Sequence, residues 1–157
     1  MSVPPIVADT SPIIALDRIG KLDLLRRLHG QVLVPPAVAQ EMAPRTELPA
    51  WIVETALEQP AASRVLMASL GRGESAAIAL AVERAARLLL LDDLPARRLA
   101  QAIGVPVAGT LAVLLHAKRR GLLAEIKPDI DGLITNSFRV SDALRERVIL
   151  EAGERPD

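Results

Sequence analysis

The 157-residue chain has no cysteine and no tyrosine, one tryptophan (Trp51), one phenylalanine (Phe138) and two histidines, His29 and His116. Without cysteine there is no disulfide, no zinc–thiolate site and no thiol nucleophile. Two histidines far apart in sequence argue against a histidine-based metal site or a Ser-His-Asp triad. Two aromatic rings do not make the platform on which single-strand binders and RNA-recognition sheets stack successive bases. Net charge is also missing: 19 Lys and Arg balance 19 Asp and Glu, so no strong field draws the whole molecule to nucleic acid. The opening Met-Ser-Val-Pro-Pro has no basic segment, and Pro4-Pro5 stands where a leader peptide needs apolar residues. No apolar run approaches the ~20 residues that span a bilayer. The expectation is a cytoplasmic protein without a membrane anchor.

What the chain does have is aliphatic bulk. Half of it is hydrophobic and 24% is charged, the composition of one globular domain over 1–157 with a substantial core. Basic residues gather locally: from Glu83 to Arg120, seven (Arg84, Arg87, Arg97, Arg98, Lys118, Arg119, Arg120) stand against Glu83, Asp92 and Asp93. Taken singly, each reads as part of a solvated helix face.

Short, wholly apolar runs alternate with helical segments. Ile6-Val7-Ala8 reads as a buried strand, followed by a helix with Ser11 as N-cap and Pro12 at its first position. Gly20 ends it, and a short helix over Leu22–Leu28 closes at Gly30. Gln31–Val34 is a second strand, and Pro35-Pro36 opens a helix to Met42. The proline-punctuated stretch Ala43–Pro60 carries a helical run over Trp51–Leu57, and an Ala-rich helix spans Glu74–Ala86. Leu88–Leu91 is a third strand, Pro95–Ile103 a helix and Val105–Val107 a fourth strand. Helices over Leu111–Arg120, around Ile130 and over Leu144–Leu150 complete the chain. The pattern is α/β: a short central parallel sheet covered by helices on both faces.

In such a sheet, ligands bind beyond the carboxyl ends of the strands. Asp9 follows the first strand and Asp92-Asp93 the third. Carboxylates gathered at one sheet edge repel each other unless a cation sits between them, and Mg²⁺ or Mn²⁺ prefers such oxygens. Duller roles exist for each: a cap or turn for Asp9, Asp92 and Asp93, a helix-dipole partner for Glu74. Glu41 lies near a helix end, where a carboxylate is mildly unfavourable, and so leans toward function. Adjacent residues at a strand end point to opposite faces, so one of Asp92 and Asp93 is expected to face the cleft and the other to cap the helix opened by Pro95.

Five segments in order carry a family resemblance: Ala8-Asp9-Thr10-Ser11-Pro12, Val34–Glu41, Gly73–Ala81, Leu91-Asp92-Asp93-Leu94-Pro95-Ala96-Arg97 and Val107-Ala108-Gly109-Thr110. The sequence resembles the PIN domain family of metal-dependent ribonucleases, which includes the toxins of many bacterial toxin–antitoxin pairs. Within it, the sequence is most similar to a subgroup with Gly-Glu at the start of the central helix and Asp-Asp-x-x-Ala-Arg. The resemblance implies a PIN-like three-layer fold and a catalytic set of Asp9, Glu41, Glu74 and Asp93. The metal set is Asp9, Glu74 and Asp93, with Asp92 able to share the role of Asp93. Glu74 stands where the family usually has Asp, and Leu91 where many members have Thr. The implied cofactor is Mg²⁺ or Mn²⁺, and the implied partners are an RNA substrate, a small antitoxin protein and, as a family expectation, a second copy. Ser11, Arg97 and Thr110 are candidate substrate contacts, Arg97 with the rival role of pairing a nearby carboxylate. The other readings are a catalytically silent PIN-fold module that binds a regulatory partner, and, less compatible with the order of the acids, a receiver domain or a haloacid-dehalogenase-type phosphatase.

Overall fold

The computed structural model describes residues 3–157. In chain order the elements are β1 (Ile6–Ala8), α1 (Thr10–Arg18), α2 (Asp23–His29), β2 (Val32–Val34), α3 (Pro36–Met42), β3 (Ile52–Glu54) and α4 (Pro60–Leu66). They continue with α5 (Arg72–Glu83), β4 (Leu88–Leu90), α6 (Leu94–Ala102), β5 (Val107–Ala108), α7 (Thr110–Arg119), α8 (Lys127–Thr135) and α9 (Asp142–Glu151). The five strands form one parallel sheet in the order β3-β2-β1-β4-β5. None of the helices among the described residues is long and apolar enough to cross a membrane.

Because side chains alternate along a strand, the apolar runs divide between two cores. Ile6, Ala8, Val32, Val34, Ile52 and Leu90 face one layer, built on α1, α2, α3, α7, α8 and α9. Val7, Leu33, Leu89 and Leu91 face the other, built on α5 and α6, with Val53 packed at its margin. Strands buried on both faces have no polar side to show, which is why they read as continuous Ile-Val-Leu runs.

One segment departs from the expected pattern. Trp51–Leu57 is not helical: Ile52–Glu54 forms the edge strand β3. Ile52 and Val53 are β-branched, as is Thr55, which favours extended backbone. The free edge of β2 supplies partners, Val32 N donating to Trp51 O at 2.9 Å and Thr55 N to Val34 O at 2.8 Å. The short helix α4, opened by Pro60, was not anticipated either. Helix α1 starts at Thr10, two residues earlier than Pro12 implied, with Asp9 rather than Ser11 in the N-cap position.

The clustered basic residues separate along the sheet axis. Arg97 and Arg98 lie on α6, beyond the carboxyl end of β4, whereas Arg84, Arg87 and Lys118–Arg120 lie where α5 and α7 run back to the opposite edge. Lys118 is paired with Glu154 at 2.7 Å.

The β3 assignment has a direct test. Ile52 is buried in the first core and Glu54 is exposed, so Ile52→Ala is expected to destabilise by about 2–5 kcal/mol and Glu54→Ala by less than about 0.5 kcal/mol. Denaturant unfolding of both variants checks this; equal effects would be incompatible with a strand that buries one side.

Candidate active site

Connections from β1 lead outward through β2 to β3, whereas β4 and β5 lie on the other side of β1. The strand order therefore reverses between β1 and β4, the crevice where parallel sheets bind ligands. Asp9 leaves β1 at that point and Asp92-Asp93 leave β4 beside it. The backbone joins the two ends directly, Asp9 N donating to Leu90 O at 3.0 Å.

Asp9 occupies the N-cap position of α1 but makes no capping hydrogen bond with its side chain. It is 4% exposed. Burial lifts its carboxyl from 3.8 to about 6; the Thr10 amide pulls it partly back, and Glu41, Asp92 and Asp93 push it up again. Glu74, in the first turn of α5, rises from 4.5 to about 7 through burial, then the charges of Asp93 and Asp9, a side-chain hydrogen bond with Asp93, and the charge of Glu41. The four expected catalytic acids thus feel one another electrostatically.

Glu41 reaches the group from α3. Its carboxylate accepts a hydrogen bond from Thr10 Oγ1 at 2.6 Å. It also lies against Gly73, where an added Cβ would stand 2.6 Å from Glu41 Oε1. The Gly-Glu pair noted in the sequence therefore has a geometric reason: the glycine makes room for one acid and the next residue supplies another.

The third-strand acids behave differently from expectation. The cap of α6 is Asp93, whose Oδ2 accepts from Ala96 N at 3.1 Å; Asp92 does not cap that helix. Asp93 nevertheless faces the cluster through Glu74, so one residue serves both roles. Asp92 turns toward the start of α7, accepting from Thr110 N and Thr110 Oγ1, both at 2.7 Å. Burial raises its pKa, opposed by the two Thr110 hydrogen bonds and the Arg97 charge. The glycine before Thr110 again permits the approach, since a Cβ on Gly109 would be 2.8 Å from Asp92 Oδ1 and 3.1 Å from Arg97 Nη1. Thr110 is wholly buried with its hydroxyl given to Asp92, and Arg97 is placed beside the same carboxylate.

Ser11 does reach the open space. It lines a cleft of about 750 Å³ whose floor includes Asp9, Glu41 and Glu74. The walls hold residues that sequence patterning did not single out: Arg18, Arg45, Arg72 and Phe138. All four lie at helix ends or in loops, where no periodicity marks a side chain as functional. Among the described residues, no group of three or more acids or histidines is arranged as a ready-made metal-ligand set.

The raised acids fix a sign for the pH dependence of stability. A carboxyl whose pKa is higher folded than unfolded stabilises the fold below its unfolded value and loses that contribution as pH rises through the folded value. For Asp9 the window runs from about 3.8 to about 6. In chelator-treated protein, Asp9→Asn should therefore become more stable than wild type as pH rises, by on the order of 2–3 kcal/mol at pH 8. Denaturant unfolding of both proteins between pH 4 and pH 8 measures the difference; a constant gap would contradict a buried, charge-strained Asp9.

No curated protein matches the chain. A family model described as DUF3368, a PIN domain, matches residues 5–154. That range contains every strand and helix of the fold and all the acids of the cleft. The chain belongs to this PIN-domain family, a nuclease-type fold whose members generally depend on a divalent metal.

Proposed function

We propose that the protein is a Mg²⁺- or Mn²⁺-dependent endoribonuclease that hydrolyses RNA phosphodiester bonds, and that it is the toxin of a toxin–antitoxin pair held inactive by a small partner protein. The observation that supports the nuclease reading is the set of four carboxylates at the sheet's switch point, in which burial and the neighbouring acids raise the proton affinity of Asp9 and Glu74. The donor set fits a hard divalent cation: every donor is a carboxylate oxygen, and the cleft has no histidine or thiolate to favour a softer ion. Their mutual repulsion is what a bound cation relieves.

When bound, the cation neutralises charge on the phosphate and acidifies water, which removes the need for a histidine base. Asp9, Glu74 and Asp93 are the residues assigned to hold it. Glu41, oriented by the Thr10 hydroxyl, is assigned to position the attacking water and accept its proton. Asp92 supports this set from behind by fixing the start of α7 through Thr110. The toxin role extends the motif resemblance and is tested separately: expression should arrest growth, Asp9→Asn should not, and the product of a neighbouring small gene should relieve the arrest.

Metal binding has a physical readout. Mn²⁺ or Mg²⁺ should raise the melting temperature of the wild type, and Asp9→Asn should abolish most of that rise. Equal stabilisation of both proteins would remove Asp9 from the site. In cleavage assays the partner-free protein should cut RNA with Mg²⁺ or Mn²⁺ and stop in EDTA, leaving a 5′-phosphate and a 3′-hydroxyl. A 2′,3′-cyclic phosphate would mean attack by the RNA's own hydroxyl and overturn the mechanism. A protein that shows neither metal stabilisation nor cleavage would be the silent partner-binding module instead.

Gly73 gives a further test that separates function from stability. In Gly73→Ala the new methyl meets the far end of the flexible Glu41 side chain, and helix propensity gains up to about 1 kcal/mol. The variant should melt at or above the wild-type temperature while cleaving RNA at least about tenfold more slowly, since an outward-swung Glu41 removes one acid–base contribution. Full activity would show that the position of Glu41 is unimportant.

A further inference from the structure

The chain's only phenylalanine stands on the wall of the cleft whose floor carries Asp9, Glu41 and Glu74. It is presented by a closed helix end. Ser137 N donates to Ile134 O at 3.1 Å and Phe138 N to Leu133 O at 2.9 Å, the paired bonds of a Schellman motif that terminates α8. The residue at the turn is Ser137 at φ 72°, where glycine is usual and a side chain is strained. Asn136 adds a third tie, Nδ2 donating to Gly132 O at 2.8 Å. Packing of Phe138 on the core is the ordinary companion of such a motif, and an aliphatic side chain would serve it equally. The ring is only partly buried, so part of it remains available to the cleft.

Cations surround the same opening. Arg18 lies at the end of α1 and donates from Nη1 to Asn136 O at 3.4 Å, on the turn that carries Phe138. Arg72 is held by Gln40 Oε1 at 2.8 Å, and Arg45 follows α3. None of the three takes part in an ion pair among the described residues, although acids form the cleft floor. The opening therefore combines three guanidinium groups, two of them tethered by hydrogen bonds, with one aromatic ring and a carboxylate floor. Guanidinium groups match phosphate oxygens, and a ring matches the face of a base.

We infer that the α8–α9 corner is a nucleotide subsite, in which the Phe138 ring seats one base and Arg18 with Arg45 holds the phosphates on either side of it. The inference rests on the ribonuclease reading and adds a positioning device to it. A single ring takes one base, not a run, which agrees with the scarcity of aromatics in the chain. A base inside a duplex has both faces covered, so only an unpaired or extruded base occupies this seat. Stacking is indifferent to base identity, so the subsite positions the strand without reading its sequence. The ring is already fixed by the helix end, so little ordering is left to oppose binding.

The test uses the full chain in EDTA, where binding is observed without cleavage. The probe is a short single-stranded RNA carrying a fluorescent adenine analogue, alone or annealed to its complement. Wild type should quench the analogue in the single strand and bind it more tightly than the duplex. Phe138→Leu should abolish the quench and weaken single-strand binding about tenfold, the loss of one stacked base, with duplex binding unchanged. Phe138→Trp should restore both, a rescue that loss of core packing alone does not predict. Arg18→Gln and Arg45→Gln should each weaken binding and flatten its salt dependence. If wild type cleaves RNA yet Phe138→Leu quenches and binds like wild type, the base seat is wrong and the ribonuclease reading stands. If wild type neither binds nor cleaves RNA, both fail.

Discussion

Like charges held close together at the end of β1 and β4 set the terms for the rest of the molecule. The backbone at Asp9 is fixed at the cleft floor: Ala8 before it and Thr10 after it are buried, its own amide is bonded to Leu90 O, and only 4% of the residue is exposed. Its carboxyl consequently sits at about 6 rather than 3.8. Glu74 shows which force dominates. At the first turn of α5 the helix dipole favours a negative charge by roughly 0.3–1 kcal/mol, which lowers a pKa. The rise to about 7 means that burial and the neighbouring acids overcome the dipole. Such an arrangement costs the fold stability at neutral pH, a cost that protonation of the acids or a neighbouring positive charge relieves.

The parts of this design that sequence made legible are those fixed by periodicity and by chain punctuation. Ile6–Ala8, Val32–Val34 and Leu88–Leu90 are strands because apolar residues on both sides demand two covering layers. Asp9 and Asp92-Asp93 then fall at the correct sheet edge with no further information. The strand Ile52–Glu54 was less legible because Trp51–Leu57 mixes β-branched residues with Ala and Leu, and its choice between helix and strand is made by the open edge of β2. Cleft-wall residues were illegible for another reason. Arg18, Arg45, Arg72 and Phe138 are far apart in sequence and stand in no repeating pattern, so only the packing of α1, α3, α5 and α8 brings them to one opening.

Asp92 and Asp93 show how adjacent identical residues acquire different duties. The expectation that one would face the cleft and the other cap α6 fails in both halves: Asp93 caps the helix and also acts on the cleft acids, and Asp92 turns to Thr110 instead. Asp93 accepts from Ala96 N while its charge acts on Glu74, because a carboxylate has two oxygens and can satisfy a helix end with one of them. Asp92 spends both oxygens on Thr110. That pairing ties the end of β4 to the start of α7 through a wholly buried threonine. The resulting clamp holds the β4–α6 turn, and with it Asp93, against the repulsion from the floor of the cleft.

Glu41 is the acid least committed by the fold, and its position is correspondingly informative. It is exposed and comes from α3 rather than from a strand end. Holding a glutamate in one rotamer costs roughly 1.5–2 kcal/mol, and one hydrogen bond to a charged group returns roughly 1.5–3 kcal/mol. The Thr10 hydroxyl supplies one such bond, so the two terms nearly cancel. Gly73 meanwhile sacrifices about 1 kcal/mol of helix propensity relative to alanine to leave space for this carboxylate. Stability therefore does not explain why Glu41 is aimed at Asp9 and Glu74. What the geometry does give is a carboxylate tethered by one hydrogen bond beside Gly73, close enough for its charge to act on Asp9 and Glu74, which is the position the proposed role of accepting a proton from water requires.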